Sequence, residues 1–478
     1  MKKSPLLLTS CLLFTMATAQ SKIQNVVVIF SDDQGYEDLS SFGSKKADTP
    51  YIDQLAKEGM KLTSFYVASS VCSPSRASLL TGRMPVRAGA QHVVFSSPAV
   101  YTGKGLPPQE ITIAELLKQK NYATGLIGKW HLGHEKAYLP TAQGFDYFYG
   151  LPYSNDMSIA PNMDIAEDIV LNEGYTLEQL HYDANQIATN GLKAYKKLKR
   201  KVPLMRGNQV IEYPANQSTL TERYTKEAVS FIKRNKQKPF FLYFAHTFPH
   251  LPIFTGEKFK GSSKGGPFYD AVQEIDWSVG EVMKALKEQG LDKNTLVIYT
   301  SDNGPNSKGS AKPLRGSKFT TYEGGLRVPG IIWAPTEIEP TVSDEIVSAL
   351  DLFPTIANYA GIELPKDRIY DGVDISRFLS GEQKDSPRKE IFYYSANTST
   401  VDGIRLGDWK FIYKGFNPNQ QQKINGQELS EKLYNIKLDA PEKENLINKY
   451  PEKVKALKER MESFDIALKQ DVESKYGK

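Results

Sequence analysis

Four apolar runs in this chain each break off into polar or glycine-rich residues, and that repetition constrains the fold more than any other feature. Asn25-Val26-Val27-Val28-Ile29-Phe30 leads into Ser31-Asp32-Asp33-Gln34-Gly35. Tyr122 to Ile127 leads into Gly128-Lys129-Trp130-His131-Leu132-Gly133. Phe240 to Phe244 leads into Ala245-His246-Thr247-Phe248-Pro249-His250, and Thr295 to Thr300 into Ser301-Asp302-Asn303-Gly304-Pro305. Continuous apolar runs suit strands covered on both faces. Helical patterns lie between them, over Pro50 to Gly59, Ile113 to Lys120, Thr221 to Asn235 and Asp270 to Gln289. Strands alternating with helices predict an α/β fold, a mostly parallel central sheet sandwiched by helices. Such sheets place ligands beyond the carboxyl ends of their strands. Asp32, Asp33, Lys129, His131, His246, Asp302 and Asn303 are all delivered to that edge.

After about Pro365 the texture changes. Glu390 to Ser395, Gly403 to Leu406 and Trp409 to Tyr413 read as short strands, with Gly407-Asp408 a turn between two of them. Pro451 to Lys469 carries Val454, Leu457, Met461, Phe464 and Leu468 on one helical stripe. This predicts a smaller C-terminal subdomain, an antiparallel sheet plus a helix, over residues 366–478. It follows a larger domain over 20–365, a division that suits 478 residues. Asn155 to Leu220 is polar and irregular and is expected to form loops near the mouth of the crevice.

Met1 to Ala19 has the form of a secretory signal: Lys2 and Lys3, an apolar stretch from Leu6 to Met16, and Ala17-Thr18-Ala19 at the cleavage site. This predicts an exported, periplasmic protein. Cleavage after Ala19 is favoured over a lipoprotein anchor at Cys11, because the apolar run before Cys11 is only Pro5 to Leu8. No later stretch looks transmembrane. The net charge of +5 is too modest to imply nucleic acid. The basic run Lys193 to Lys201 is read as a solvated helix face before a landing surface for an acidic polymer.

With the leader removed, Cys72 is the only cysteine, so no internal disulfide can form. It opens Cys72-Ser73-Pro74-Ser75-Arg76-Ala77-Ser78-Leu79-Leu80-Thr81-Gly82. Ser73 suits an N-cap, Pro74 a first helical position and Gly82 a stop. Cys72 then lies in the positive field of a helix N-terminus, with Arg76 turned back toward it. Asp32, Asp33, Asp302 and Asn303 are short oxygen donors, which suit calcium or magnesium rather than zinc. Each aspartate alone would be read as a helix cap. Of the six histidines, His92 and His181 are read as structural, and His134 and His250 are left open. His131 and His246 follow strand ends and suit proton transfer. Lys129 and Lys318, the latter within Arg315-Gly316-Ser317-Lys318, add fixed positive charge for an anion.

These residues resemble a known family. Cys72-Ser73-Pro74-Ser75-Arg76 matches the C-x-P-x-R signature of type I sulfatases of the alkaline phosphatase superfamily, and Ala77 to Gly82 extends the match. The Asp32-Asp33-Gln34-Gly35, Gly128-to-Gly133 and Ser301-Asp302-Asn303-Gly304 blocks match other parts of the family. Phe148-Tyr149-Gly150-Leu151-Pro152-Tyr153-Ser154-Asn155-Asp156-Met157 looks like the arylsulfatase A and N-acetylgalactosamine-6-sulfatase branch. The likeness runs over roughly residues 24 to 440, the scale of one large unit and its appendage.

The resemblance implies that a separate formylglycine-generating or sulfatase-maturating enzyme converts Cys72 to formylglycine. It implies that Asp32, Asp33, Asp302 and Asn303, with residue 72, hold Ca2+ before Mg2+. It implies that Arg76, Lys129 and Lys318 bind sulfate and that Ser154 contacts it. His246 would protonate the departing alcohol and His131 would assist the formylglycine hydroxyls, although the two roles could be exchanged. One hydroxyl of the hydrated aldehyde attacks sulfur, and loss of a proton from the other later expels sulfate. The expected substrate is a sulfated glycan carrying galactose or N-acetylgalactosamine sulfate. The alternatives are a phosphonate or phosphate ester hydrolase of the same superfamily and a non-catalytic binder of sulfated glycans. Lacking the extra cysteines of the lysosomal relatives, the chain fits a bacterial exported enzyme. The sequons at Asn216 and Asn397 carry little weight there.

Overall fold

Strong β-branched and aromatic runs become the centre of one large sheet. The computed structural model describes residues 23–97, 105–198, 200–394, 401–413 and 431–476. The leader, Cys11 and the Asn397 sequon lie outside them. The strands of the large sheet are β1 (Asn25–Ser31), β2 (Met60–Tyr66), β3 (Ala123–Lys129), β4 (Tyr147–Leu151), β5 (Asp164–Leu171) and β6 (Leu204–Arg206). They continue with β7 (Gln209–Tyr213), β8 (Phe240–Ala245), β9 (Thr295–Ser301), β10 (Arg327–Trp333), β11 (Thr341–Ser343) and β12 (Val347–Ser348). Their order is β11-β2-β10-β9-β1-β8-β3-β4-β6-β7-β5, with β12 also paired to β2. The four runs singled out above are β9, β1, β8 and β3, neighbours in the middle of the sheet and all parallel. Their carboxyl ends therefore meet at one edge.

Helices cover both faces. Residues of α1 (Pro50–Glu58), α5 (Leu220–Arg234) and α6 (Pro267–Glu288) pack with Val27, Ile29, Leu242 and Phe244. Residues of α2 (Cys72–Thr81), α3 (Ile113–Lys118) and the helix Leu352–Tyr359 pack with Val26, Val28, Phe241 and Tyr243 on the other face. The pleat explains the split, since successive strand side chains point to opposite sides. In α5 the buried Tyr224, Ala228, Phe231 and Ile232 recur at helical spacing. α3 begins at a capping box in which Thr112 Oγ1 accepts from Glu115 N–H and Glu115 accepts from Thr112 N–H.

Two local expectations differ from what is found. α2 starts at Cys72, with Val71 as its cap; Ser73 instead uses its hydroxyl to accept from Val94 N–H at 3.1 Å. Gly82 does end the helix, at φ 66°. The Asn155 to Leu220 region is not loops alone. It supplies β5, β6, β7 and α4 (Leu177–Leu198), and its strands extend the sheet beyond β4. In the basic run, Lys193, Lys196, Lys197 and Arg200 are exposed, as a solvated face requires.

A second sheet of four antiparallel strands follows: β13 (Glu390–Tyr394), β14 (Val401–Leu406), β15 (Trp409–Ile412) and β16 (Lys432–Asn435). β16 was not anticipated. The C-terminal helix Pro451–Tyr476 buries Leu457, Met461 and Leu468 against this sheet. Phe464 stacks on Phe392 with centroids 3.6 Å apart. Among the described residues, no helix is long and apolar enough to cross a membrane.

Candidate active site

The carboxyl ends of β1 and β9 place two pairs of oxygen-bearing side chains next to each other. Asp32 and Asp33 leave β1, and Asp302 and Asn303 leave β9. Asp33 N–H donates to Asp302 Oδ1 at 3.1 Å, and Asn303 Nδ2 donates to Asp33 Oδ1 at 2.7 Å. Asp33 holds a left-handed backbone, φ 63°, and so does His131, φ 63°. Such conformations are sparsely populated and gather at functional sites. α2 brings Cys72 against this group, its Sγ 3.6 Å from Asp32 Oδ1. Candidate ligand atoms of Asp32, Asp33, Cys72 and His250 all lie within 4.8 Å of one another.

Three cations surround the carboxylates. Arg76, one turn into α2, donates from Nη2 and Nε to Asp302 Oδ2 at 2.8 and 3.2 Å, and from Nη1 to the Lys129 carbonyl at 3.0 Å. Lys129 closes β3 and reaches Asp32 Oδ2 at 2.5 Å and Ser154 Oγ at 3.4 Å. Gly128 lets β3 deliver it: φ is 111°, and a Cβ there would meet the Ala245 carbonyl at 1.7 Å. Lys318 spans Asp33 Oδ1 at 2.6 Å and Cys72 Sγ at 3.3 Å. Its loop is tied down by Lys318 N–H to the Pro305 carbonyl and Phe319 N–H to the Ser70 carbonyl, both 3.0 Å.

The charges act on one another strongly. Burial works to raise Asp33, but Lys318 and His250 outweigh it and hold that carboxyl well below the usual range. Burial and then Asp32 push Asp302 up to about 6, against Arg76 and Lys129. Burial and Asp302 push the Cys72 thiol far up. Burial, Lys129 and Arg76 push His131 well down. His131 Nε2 lies 3.0 Å from the Val94 carbonyl, which only accepts, so Nε2 carries the hydrogen and Nδ1 is bare. That Nδ1 is buried and, among the described residues, without a hydrogen-bond partner.

A sulfatase family profile matches residues 24–362, and a profile described as "N-sulphoglucosamine sulphohydrolase, C-terminal" matches residues 317–466. Arylsulfatase A of Bos taurus is 40% identical over 414 residues, which cover 84% of this chain and 77% of that protein. The chain belongs to the sulfatase family. It is a sulfuric ester hydrolase. N-acetylgalactosamine-6-sulfatase of Mus musculus is 37% identical over 85% of this sulfatase and 75% of its own length. The solved PsFucS1 sulfatase of Pseudoalteromonas sp. superposes with a TM-score of 0.77 at 30% identity, covering 94% and 91% of the two chains.

The donor set of this sulfatase fits a hard divalent cation. Asp32, Asp33, Asp302 and Asn303 each offer a ligand oxygen, and among the described residues Asn303 Oδ1 is buried without a hydrogen-bond partner. A buried carbonyl oxygen beside three carboxylates is an acceptor in want of a cation.

One sequence assignment moves. His246 does not join the cluster. Its ring packs on Phe244, centroids 4.3 Å apart, and neither ring nitrogen has a hydrogen-bond partner among the described residues. Burial alone pushes it down to about 3. His250, four residues on, is there instead. Its Nε2 lies 3.7 Å from Asp33 Oδ2, its Nδ1 lies 2.9 Å from Asn155 Oδ1, and Ser154 Oγ is 3.4 Å from both ring nitrogens. Burial and Lys318 push His250 down to about 4, with Asp33 opposing. Side chains of His250 and Lys318 are 12% and 10% exposed, whereas Asp32, Arg76 and Lys129 are fully buried. The site therefore opens to solvent on the His250 side. Strand alternation carries the signal for this: His246 continues the Leu242 and Phe244 face of β8, away from α2.

Proposed function

We propose that this enzyme releases sulfate from sulfated carbohydrates at the cluster around Asp32, Asp33 and Cys72. The observation that carries the reading is the convergence of four oxygen donors, three fixed cations and position 72 within hydrogen-bonding reach. Asp32, Asp33, Asp302 and Asn303 hold a divalent cation, calcium before magnesium, which when bound draws charge from the sulfate oxygens. Formylglycine made from Cys72 by a separate maturation enzyme supplies a hydrated aldehyde, with one hydroxyl to attack sulfur and another whose proton loss expels sulfate.

The remaining roles belong to side chains present in the chain. Arg76, Lys129 and Lys318 offset the three carboxylates and, with a cation added, leave excess positive charge for an anionic ester. Ser154 lies beside Lys129 and contacts the same anion. His131 Nδ1, bare and buried, accepts a proton from the residue-72 hydroxyl. His250, rather than His246, gives the proton on Nε2 to the bridging oxygen as the S–O bond breaks, so that the alcohol leaves neutral. The open side at His250 gives the sugar its place. The name of the N-acetylgalactosamine-6-sulfatase relative favours N-acetylgalactosamine sulfate, and galactose sulfate, with the same ring configuration, stands beside it. Residues 20–365 form the catalytic unit, 366–478 the appended one, and 1–19 a leader that directs export to the periplasm.

The test is sulfate release from sulfated galactose and N-acetylgalactosamine, with matched phosphate esters alongside. Protein whose Cys72 peptide shows the mass of formylglycine should release sulfate and should stop when divalent cations are chelated. Preference for the phosphate esters, or no turnover across the panel, would overturn the reading.

A further inference from the structure

We infer that Asn155 is a positioning residue that fixes the tautomer and orientation of His250 for proton delivery to the leaving group. This rests on the reading of His250 as the proton donor. Behind Asn155 lies the buried Gln217. Gln217 Nε2 lies 3.2 Å from the carbonyls of both Asn155 and Arg200. Carbonyls only accept, so the amide nitrogen must face them and Gln217 Oε1 must face inward. There it accepts from Asn155 Nδ2 at 3.0 Å, and the same Nδ2 donates to the Pro252 carbonyl at 2.9 Å. Both hydrogens of the Asn155 amide are then committed. Its Oδ1 is left as an acceptor, 2.9 Å from His250 Nδ1. The hydrogen between them therefore sits on His250 Nδ1.

That assignment leaves Nε2 as the working nitrogen. It takes a proton from solvent on the open side of the site to form the imidazolium, and it gives that proton to the bridging oxygen when the S–O bond breaks, returning to the neutral ring; Nδ1–H never leaves Asn155. Ser154 Oγ, equally distant from both ring nitrogens at 3.4 Å, cannot choose between them. Asn155 is fully buried, and its amide is anchored on the Pro252 carbonyl, two residues beyond His250. It thus ties the imidazole to the loop that carries it. Removal of Oδ1 frees the ring to rotate and to offer the wrong nitrogen.

The experiment compares two esters that differ in their need for an acid. 4-Nitrophenyl sulfate departs as a stable phenolate, whereas galactose 6-sulfate must release an alkoxide unless protonated. Asn155→Leu, with Cys72 conversion equal to wild type by peptide mass, should lower kcat/KM for the sugar sulfate about 100-fold and for the aryl sulfate less than about 5-fold. His250→Ala should show the same split, deeper. If Asn155→Leu is insoluble, Asn155→Ser, whose hydroxyl is too short to reach Nδ1, carries the same expectation. Equal losses on both esters, or no loss, while His250→Ala keeps its split, would overturn the role of Asn155. Absence of the split in His250→Ala would overturn the acid assignment itself, and this inference with it.

Discussion

His246 and His250 lie four positions apart and have different fates, and the difference is one of solvation and facing. Sequence proximity to a strand end selected His246, yet the pleat of β8 turns it into the packed layer with Phe244. Asp32, Asp33, Asp302, Asn303, Lys129 and Arg76 were legible because their strand ends and helix leave little choice of position. Asn155 and Gln217 were not, because a buried amide network has no spacing to read. His250→Ala should lower kcat/KM on a sugar sulfate by about 10²–10⁴. His246→Phe should leave it within about 3-fold, since it removes two buried nitrogens from the layer with Phe244 and takes away no side chain of the cluster. Its effect appears in stability instead. A histidine held down to about 3 binds fewer protons folded than unfolded. Its contribution is complete above its ordinary value and is lost as pH falls toward 3. Urea midpoints from pH 7 to 4 should therefore show wild type losing stability relative to His246→Phe below about pH 6.5, by ~1.4 kcal/mol per pH unit. A pH-independent difference would contradict the neutral, buried assignment.

At the scale of elements, the four central strands were readable to within a residue or two because they are buried throughout and mostly apolar. The strands beyond β4 were not. β6 has three residues, and β5 at the sheet edge carries Asp164, Glu167 and Asp168. Charged residues of this kind shield an edge from pairing with other chains, and they also disguise a strand as a loop. The junction of β3 and β8 is the tightest point near the site. Gly128→Ala would set a methyl against the Ala245 carbonyl in a backbone conformation that alanine disfavours. It should lower unfolding free energy by more than about 3 kcal/mol in urea titration and abolish sulfate release by displacing Lys129. A stable, active Gly128→Ala would show that this contact does not position β3.

Across the whole molecule, the small sheet and the large one share a buried charge cluster. Lys410 on β15 is fully buried, 3.0 Å from Glu323 Oε1 and 2.9 Å from Glu442 Oε1. Tyr66 on β2 and Tyr393 on β13 both donate to Glu323, at 2.5 and 2.7 Å. Glu323 follows the loop that carries Lys318, so the C-terminal sheet braces the catalytic side. Lys410→Met takes the shared cation from two buried carboxylates and should cost about 3–5 kcal/mol of stability, read as a lower urea midpoint. No cluster of this kind is visible in sequence, because its members lie more than 100 positions apart between Glu323 and Glu442. Sulfate release depends, in this reading, on a divalent cation held by the four oxygen donors. Elemental analysis of purified protein, paired with sulfate release, tests it most directly. Wild type should retain about one calcium or magnesium per chain, and Asn303→Ala should lose both cation and activity together. Undiminished sulfate release by wild-type protein stripped of divalent cations would contradict it.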